Sequence, residues 1–526
     1  MPHPQHTLPP WQQLPSSARS IAPVASRAPV DLAQAVEGGP WDVCVVGAGL
    51  AGLLTALELI ERGYSVVVLE RDRPLAGESG KTTAHLTAVL DTRYFELARM
   101  HGEASVPRII DSHQRAIAHL ERLANLHDID CDFERVSAFL AAETEEQARQ
   151  LEREHEVSHA AGLGCQLLRN APLPSGAGAA LHVPDQAKFD PAKFAQGVLR
   201  RLQALGCVVV SPVLVEKVEP GEVCRVTTHS GDVVEARNVV VASNSPINDT
   251  FKMHTKQTAY RTYALSFEIP GVQWHDLYWD MQDPYHYVRT TADGLLIVGG
   301  EDHEVGQEDD PQQRWARLED WTRERIPVAG NVAHRWSGQV LEPVDGLAYI
   351  GQNPGDSKVY IATGFSGNGM TYSAITALVL ADRIAGVENP WVEIYEPSRK
   401  PKSVSAVASY VSGQANVAAQ YLDWLRPGDA ASTETLPAGE GMILRRGLKK
   451  LAVYRDPHGE LHELSATCPH LGGVVSWNRA EKTWDCPCHG SRFDCYGKVL
   501  NGPAVSNLSS AASAEEREEP KQRRAQ

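Results

Sequence analysis

The sequence is poor in cysteine, in long apolar runs and in positive charge, and the first two shortages exclude whole classes of protein. Nine cysteines in 526 residues are too few for a small disulfide-stapled scaffold. No apolar run reaches the roughly 18 residues that a membrane-spanning helix needs, and the first residues lack the charged and then apolar segments of a secretory leader. We therefore expect a cytoplasmic protein without a membrane span.

Basic residues are outnumbered, with 50 Lys and Arg against 66 Asp and Glu and a formal net charge of -16. Such a field repels phosphate, so the composition predicts no nucleic acid partner. The hydrophobic content of 42% in so long a chain predicts two to four domains with real cores.

The pattern along the chain predicts several regions. Residues 1–39 and 509–526 are polar or rich in proline and are predicted to be disordered tails. A large domain is expected at 40–400, a helical connector and linker at 401–436, and a small β-domain at 437–508. The linker would hold the small domain near the large one and raise its effective concentration there.

The strongest early motif is a glycine turn between a strand and a helix. Gly47, Gly49 and Gly52 form G-x-G-x-x-G in "VVGAGLAGLLTALELIERGYSVVVLE". The first glycine permits a tight turn, the second lets the backbone approach a pyrophosphate, and the third allows close packing of helix on strand. The N-terminus of the helix, which begins at Leu50, offers free N–H groups to the same anion.

An acidic residue completes this dinucleotide motif. Glu70 ends the next strand, 23 positions after Gly47, where a carboxylate accepts hydrogen bonds from ribose hydroxyls. Ala51 and Arg71 are expected beside the same ligand. The region from Val215 to Val218, in a later meander of strands, is expected near the adenine.

A second glycine loop follows the strand at Val359 to Ala362. It comprises Gly364, Gly367, Asn368 and Gly369, and a helix begins at about Met370. A glycine loop that leads into a helix N-terminus favours an anion or a developing negative charge. A loop that only permits close packing is the alternative.

These motifs, with "DGLAYIG" at 345–351 and "GFSGNGMT" at 364–371, resemble the D-amino-acid oxidase and glycine oxidase superfamily. The resemblance implies an α/β and α+β chain, with a Rossmann-like FAD-binding domain built from discontinuous segments and an antiparallel-sheet substrate domain. It also implies that the segment after the second strand passes the flavin. The residues expected to contact FAD there are Ser79, Gly80, Lys81, Thr82 and Thr83.

The substrate part of the sequence is less informative. Alternating segments contain many aromatic residues, which form either core or a pocket wall. His85 is expected either at flavin or substrate, or as a hydrogen-bonded helix histidine. Arg289 is expected either to anchor a substrate carboxylate or, more commonly for this pattern, to be a solvated ion-pair partner. No catalytic residue is predicted, because hydride loss from a neutral amine to flavin depends mainly on geometry.

A different motif lies near the end of the chain. Cys468 and His470 are followed, after fifteen residues, by Cys486 and His489. The loops "CPHLGG" and "CPCHGSRFD" resemble the small all-β Rieske domain, in which two cysteines bind one iron and two histidines bind the other. A Cys2His2 zinc site is the alternative.

Cys488 and Gly473 stand where respiratory Rieske proteins have their two bridging cysteines. Since only Cys488 is a cysteine here, the resemblance implies a free thiol at that position.

Together these motifs predict an enzyme, an FAD-dependent oxidoreductase with a Rieske [2Fe-2S] cluster. Its substrate is expected to be an amine, an N-alkyl amine or an amino acid, with electrons passing singly from FAD to the cluster and to an external acceptor. Two alternatives stay open. The cluster could instead feed the flavin for a reduction or oxygenation, or the protein could be a redox sensor or electron carrier without catalysis.

Overall fold

A parallel sheet forms around the valine-rich runs of the sequence. Such runs are buried on both faces when helices cover both sides of a parallel sheet. Register pairs such as Val43 with Val66 and Val43 with Asn238 fix the strands on either side of the first one. In spatial order the strands are Tyr349–Gln352, Val359–Thr363, Val233–Val241, Trp41–Val46, Val66–Leu69 and Val208–Val210, and the first of these is antiparallel to its neighbour. Cys224–Thr228 pairs antiparallel with Val233–Val241, and Val215–Glu219 pairs antiparallel with Cys224–Thr228.

The computed structural model describes residues 7–12 and 31–511, apart from 175, 248–252, 270, 272–273, 308–309, 401–415, 418 and 431. The two helices that follow glycine loops are apolar almost all round, as buried helices are. They are Leu50–Glu61 and Gly369–Ala385, within one or two residues of the positions predicted from the sequence.

A second sheet carries nine strands and is mostly antiparallel. Its two long neighbours, Gln257–Glu268 and Val332–Pro343, pair from Gln257 with Pro343 to Phe267 with Val332. In order the strands are Val332–Pro343, Gln257–Glu268, Leu295–Glu304, His286–Thr290, Leu277–Asp280, Glu134–Ala142, Gly176–Lys188 and His85–Leu86, with Gln166–Leu173 paired beside Gly176–Lys188.

Two small antiparallel sheets form the C-terminal part. Glu440–Arg446, Lys449–Arg455 and Leu461–Ser465 make the first, and Ser476–Asn478, Thr483–Asp485, Arg492–Asp494 and Val499–Asn501 make the second. The predicted fold class, an α/β and α+β oxidoreductase followed by a small all-β domain, is confirmed.

The remaining helices pack around the two large sheets. No helix among the described residues is long and apolar enough to cross a membrane. The α-helices are Leu32–Glu37, Tyr94–His101, Val106–Leu126, Glu145–Ala160, Pro191–Ala204, Gln312–Arg325 and Val392–Tyr395, and the 3-10 turns are Pro10–Gln12, Glu78–Gly80, Glu103–Ser105, His254–Lys256 and Tyr421–Leu425.

Parts of the expected tails are ordered, which corrects the prediction of disorder for residues 7–12, 31–39 and 509–511. The Thr7 N–H donates to the Arg335 carbonyl at 2.7 Å, and Trp11 Nε1 donates to the Gly80 carbonyl at 3.0 Å. At the other end, the Ser465 N–H donates to the carbonyl of Ser509 at 2.8 Å. Tertiary hydrogen bonds, which composition does not reveal, order these segments, and the rest of both tails lies outside the described residues.

The described part of the connector packs on the small domain. Tyr421 Oη donates to the Leu471 carbonyl at 2.7 Å, and Trp424 Nε1 donates to the Gly472 carbonyl at 3.0 Å. Asp429 accepts from the Ile443 N–H at 2.7 Å. The linker predicted at its end is therefore docked on the small domain at Asp429, and the helices predicted before Asn416 lie outside the described residues.

Candidate functional site

The glycine turn has the geometry of a dinucleotide cradle. Gly47 has φ +106°, and a Cβ there would lie 2.7 Å from the Ala242 carbonyl oxygen. A Cβ on Gly52 would lie 2.0 Å from the Gly47 carbonyl oxygen. Only glycine fits either place, so the helix N-terminus comes directly against the turn.

Glu70 closes this turn from the next strand. Its carboxylate accepts the Ala48 N–H at 2.7 Å and the Asp72 N–H at 2.9 Å. The acidic side chain is thereby fixed at the edge of the cavity that the turn opens into.

One cavity brings together most of the predicted dinucleotide residues. Those that line it are Gly47, Gly49, Ala51, Glu70, Arg71, Ser79, Lys81, Thr82, Thr83, Gly367, Asn368, Gly369 and Met370. Those that do not are Leu50, Gly52, Gly80, Val218 and Gly364.

For three of these five residues the structure shows why they do not line the cavity. Val218 packs in the apolar core under the sheet, whereas Val215, at the other end of the predicted adenine region, lines the cavity together with Leu214. Gly80 is buried, and its carbonyl accepts from Trp11 and Gln12. Gly364 has φ +72° and lies under Pro343, where a Cβ would meet the proline ring at 2.8 Å.

The loop that follows the second strand closes over the helix N-terminus. The Leu50 N–H donates to Ser79 Oγ at 2.9 Å, so this hydroxyl sits at the positive end of the helix. Lys81 Nζ donates to Glu78 Oε1 at 3.0 Å. Burial alone would raise the pKa of Glu78, but the charges of Lys81 and Arg261 outweigh it and lower the pKa to about 2.

The second glycine loop meets an acidic side chain that the sequence did not predict. The Gly367 N–H donates to Asp91 Oδ2 at 2.9 Å, and Asp91 also lines the cavity. The helix that begins at Gly369 directs its N-terminus toward the same space.

Aromatic side chains form the other end of the cavity. Trp279, Tyr285 and Tyr287 line it, whereas Trp336 is core. His85 lies among them with its ring centroid 5.2 Å from that of Tyr287. It belongs to a short strand rather than a helix, and burial lowers its pKa to about 3, so it is neutral.

Arg289 matches neither prediction made for it. The side chain is 3% exposed, and its guanidinium donates to the carbonyl oxygens of Ala84 and Phe189 at 2.9 and 3.1 Å. It is therefore not solvated, and it is not among the residues that line the cavity. An alternating pattern cannot distinguish a buried arginine from an exposed one.

Three carboxylates form what we call the acidic group: Asp91, Asp302 and Glu342. Burial raises the pKa of Asp302 to about 7 and that of Glu342 to about 8, and repulsion by the charge of Asp91 adds to the effect on both. Burial also raises the pKa of Asp91 despite the nearby charge of Arg93. Of the three only Asp91 lines the cavity, but the charges of all three act on the hydroxyl of Tyr285 at its aromatic end.

The cysteine and histidine motif forms a second site. The thiols of Cys468 and Cys486 are buried and face one another, and the imidazoles of His470 and His489 lie 5.1 Å apart between ring centroids at 88°. Two thiolates on one side and two imidazoles on the other suit the two irons of a Rieske cluster.

Backbone hydrogen bonds shape the two cluster loops. The Cys468 N–H donates to the Gly473 carbonyl oxygen at 2.8 Å, and the Cys486 N–H donates to the Ser491 carbonyl oxygen at 2.8 Å. Cys488 is a free thiol, as expected. A Cβ on Gly473 would lie 2.5 Å from its sulfur.

The C-terminal domain also forms part of the cavity wall. Residues Leu500, Asn501, Gly502, Ala504 and Val505 line the cavity that the glycine turn opens into. The Ala504 N–H donates to Ser491 Oγ at 3.0 Å, directly behind the cluster loop. One short loop thus touches both sites, and no local signal could have predicted this from the sequence.

A network of charged side chains joins the two domains; we call it the interface network. Arg261, only 2% exposed, pairs through its guanidinium with both carboxylate oxygens of Glu481, and Arg492 bonds Glu481 at 2.9 Å and Asp485 at 2.9 Å. Glu78 is part of this network because its Oε1 accepts a hydrogen bond from Asn501 Nδ2 at 2.9 Å. His254, from the large domain, lies 4.7 Å from His470 between ring centroids.

Comparison with known proteins agrees with this geometry. Residues 42–383 match the family of FAD dependent oxidoreductases (DAO), and residues 427–512 match the Rieske [2Fe-2S] domain. A protein of Bacillus subtilis (strain 168) that carries the name Rieske 2Fe-2S iron-sulfur protein YhfW is 30% identical over 90% of this chain and 93% of its own.

Two further relatives match the large domain. Gamma-glutamylputrescine oxidoreductase of Escherichia coli (strain K12) is 25% identical over 66% of this chain and 84% of its own. The structure of glycine oxidase from Geobacillus kaustophilus superposes with a TM-score of 0.57 at 19% identity, over 68% of this chain and 99% of that one. The latter likeness concerns the fold.

Both cofactors fit the residues present. The cavity has the glycine cradle and helix N-terminus that a dinucleotide needs, and the C-terminal loops offer the donor set of a [2Fe-2S] cluster. The chain belongs to the FAD-dependent oxidoreductase family that includes the D-amino-acid oxidases, it binds FAD, and it carries a Rieske domain that binds a [2Fe-2S] cluster.

Proposed function

We propose that this enzyme oxidises an amine, an N-alkyl amine or an amino acid, and that the electrons leave one at a time through the Rieske cluster to an external acceptor. Bound FAD supplies the two-electron chemistry by accepting a hydride from the substrate carbon, and a [2Fe-2S] cluster accepts single electrons. The names of two relatives, gamma-glutamylputrescine oxidoreductase and glycine oxidase, support an amine or amino acid as substrate.

The same proposal assigns the residues that hold the cofactors. The pyrophosphate would lie at the turn from Gly47 to Gly52, the ribose at Glu70, and the adenine near Val215. The loop from Ser79 to Thr83 and the loop from Gly367 to Met370 would flank the rest of the FAD. The cluster ligands would be Cys468, His470, Cys486 and His489.

The observation that carries the proposal is the loop from Leu500 to Val505. It lines the FAD cavity and, through Ala504 and Ser491, it supports the cluster loop. Two redox centres that share a wall can exchange electrons without any movement of the domains. Simple tethering by a linker would not produce this arrangement.

The acidic group supports an amine as the substrate. An ammonium ion must lose a proton before its carbon can release a hydride. Asp91 lines the cavity and has a pKa raised by burial, so its carboxylate is suited to hold that proton. Tyr285 and Tyr287 would orient the substrate at this end.

Electron paramagnetic resonance of the anaerobic holoenzyme tests the proposal. Primary amines, N-methyl amines and amino acids are added as separate pools, and each sample is frozen. A Rieske-type signal with substrate alone is the expected result, because electrons would have crossed from FAD to the cluster.

Other results would contradict the proposal in distinct ways. A signal that forms only with dithionite would favour electron flow from the cluster to the flavin. Bleaching of the flavin by an amine without any cluster signal would exclude the relay while retaining amine oxidation. Replacement of His489 by alanine serves as the control, since it must abolish the signal without preventing flavin bleaching.

A further inference from the structure

Gln339 is the one side chain described here that lines the FAD cavity and also donates a hydrogen bond to the cluster loop beside an iron ligand. It lies in the strand Val332–Pro343 and is 4% exposed. Its Nε2 donates to the Gly490 carbonyl oxygen at 2.9 Å. Gly490 directly follows His489, a proposed ligand of the cluster.

Gln339 is itself held firmly in place. Its backbone N–H donates to Glu78 Oε2 at 2.6 Å, and Glu78 belongs to the loop that closes over the FAD cavity. Glu78 in turn accepts from Lys81 and from Asn501 of the Rieske domain. The amide that reaches the cluster loop therefore extends from a backbone that is bonded to the flavin-side loop.

The cluster loop lies in close contact with the large sheet at Gly490. Gly490 has φ +76°, and a Cβ there would lie 2.2 Å from Ala259 Cβ and 2.9 Å from Gln339 Nε2. Only glycine allows the carbonyl to reach the amide. The large sheet and the cluster loop are thus in direct van der Waals contact at this point, without a gap for water.

We infer that Gln339 is a positioning residue for electron transfer between the FAD cavity and the Rieske cluster. This inference rests on the proposed function. Electron tunnelling weakens steeply with distance and more steeply across a gap than through bonded atoms. The Gln339 amide, the Gly490 carbonyl and the His489 backbone form a path with one hydrogen bond between the cavity wall and a cluster ligand.

The electron count of the step is complete. Each transfer adds one electron to the cluster, where one ferric iron becomes ferrous, and an external one-electron acceptor protein takes it on. Two transfers, with release of one proton from the flavin to solvent, balance the hydride taken from the substrate. Gln339 takes part in no bond-breaking and acts only through the position of the loop.

One other cross-domain contact joins the same two places: the His254 ring lies 4.7 Å from that of His470 between centroids, and its Nδ1 is 3.5 Å from Oγ of Ser245, which lines the cavity. The remaining contacts do not. Ser476 Oγ donates to the Gly306 carbonyl at 3.1 Å, but neither residue lines the cavity. Ala504 does contact the cluster loop, through its backbone N–H, which side-chain substitutions leave in place. Ser476→Ala is therefore a matched control, because it also removes one hydrogen bond across the same interface.

The experiment measures the rate of electron transfer inside the holoenzyme. Light-excited deazariboflavin reduces the anaerobic protein in a flash, and cluster bleaching is followed as the electron redistributes. The variants are Gln339→Met, which keeps the volume, and Gln339→Asn, which is too short to reach Gly490. FAD content, the cluster spectrum and both reduction potentials are measured on every protein, so that equal driving forces are compared.

We expect both Gln339 variants to slow flavin-to-cluster transfer roughly 10- to 100-fold, as loss of a supporting contact around a metal site commonly does. FAD content and both potentials stay at the wild-type values, and Ser476→Ala keeps the wild-type rate. Unchanged rates in both Gln339 variants would overturn the inference and leave the proposed function intact. An equal fall in Ser476→Ala would also overturn it, because any loosened contact would then suffice. Absence of transfer in the wild-type protein would overturn the proposed function itself.

Discussion

The interface network and the acidic group both enclose carboxylates, yet their protonation behaviour is opposite. In the interface network Arg261 and Arg492 meet Glu481 at hydrogen-bond distance, and the pKa of Glu78 is lowered to about 2. In the acidic group burial prevails, and the pKa of Asp302 is raised to about 7. Enclosure alone thus does not define a carboxylate's role; the cations around it do.

The difference separates a structural element from a functional one. Matched charges hold the two domains together and gain nothing from a further ligand. Unmatched carboxylates beside a cavity destabilise the fold when ionised, and a bound cation would relieve that cost.

The largest expected effect comes from breaking the interface network. Arg261→Met should lower the free energy of unfolding by about 3–5 kcal/mol, because it leaves Glu481 enclosed with one cation fewer. Urea unfolding, followed both by flavin fluorescence and by cluster absorbance, measures it. The control is Arg149→Met, which breaks an exposed pair with Glu146 and should cost about 0–1 kcal/mol. Equal losses in the two variants would show that the interface network contributes no more than a surface pair.

The next largest expected effect is a gain in the free energy of unfolding, and its size depends on pH. Asp302 keeps its proton up to a pH of about 7 in the folded protein, whereas the unfolded chain releases it at about pH 4. The contribution of Asp302 to the free energy of unfolding therefore falls as the pH rises from about 4 to about 7, and above about pH 7 it is destabilising in full. Asp302→Asn should raise the free energy of unfolding by on the order of 2 kcal/mol at about pH 8 and leave it unchanged below about pH 4.

Urea unfolding at several pH values checks this. Asp320→Asn, at an exposed position, is the control and should show no such pH dependence. A stabilisation by Asp302→Asn that is the same at every pH would contradict the explanation by ionisation.

The smallest expected effect is the change in melting temperature when a small cation binds at the acidic group. Butylammonium should raise the melting temperature by a few degrees at mildly alkaline pH, where the acidic group is ionised, and less at mildly acidic pH. Butyrate, of similar size and opposite charge, should not. Thermal melts of the wild type and of Asp302→Asn measure the shift, and an equal shift in both proteins would locate the cation elsewhere.

The motifs that could be predicted from the sequence are local. Gly47, Gly49 and Gly52 act within one turn, and Cys486 and His489 lie in one loop, so their spacing alone indicates their geometry. The strand and helix at this turn were predicted within two residues for the same reason.

The parts of the candidate site that could not be predicted depend on contacts between segments far apart in the sequence. Asp91, Asp302 and Glu342 come from a loop and two strands, and only the sheet register brings them together. The segment from Val215 to Val218 is expected at the adenine, but both valines pack in the core under the sheet and only Val215 also lines the cavity. The alternating pattern predicts Arg289 either at a substrate carboxylate or in a solvated ion pair, whereas its guanidinium is buried against carbonyl oxygens far away in sequence.

The wall formed by Leu500 to Val505 has a consequence for biosynthesis. The glycine turn emerges early from the ribosome, while this loop emerges only after nearly all other described residues. A nascent chain that has already folded Gly47 to Gly52 still presents an open cavity. The cavity that we propose for FAD is therefore walled completely only after residue 505 has left the ribosome.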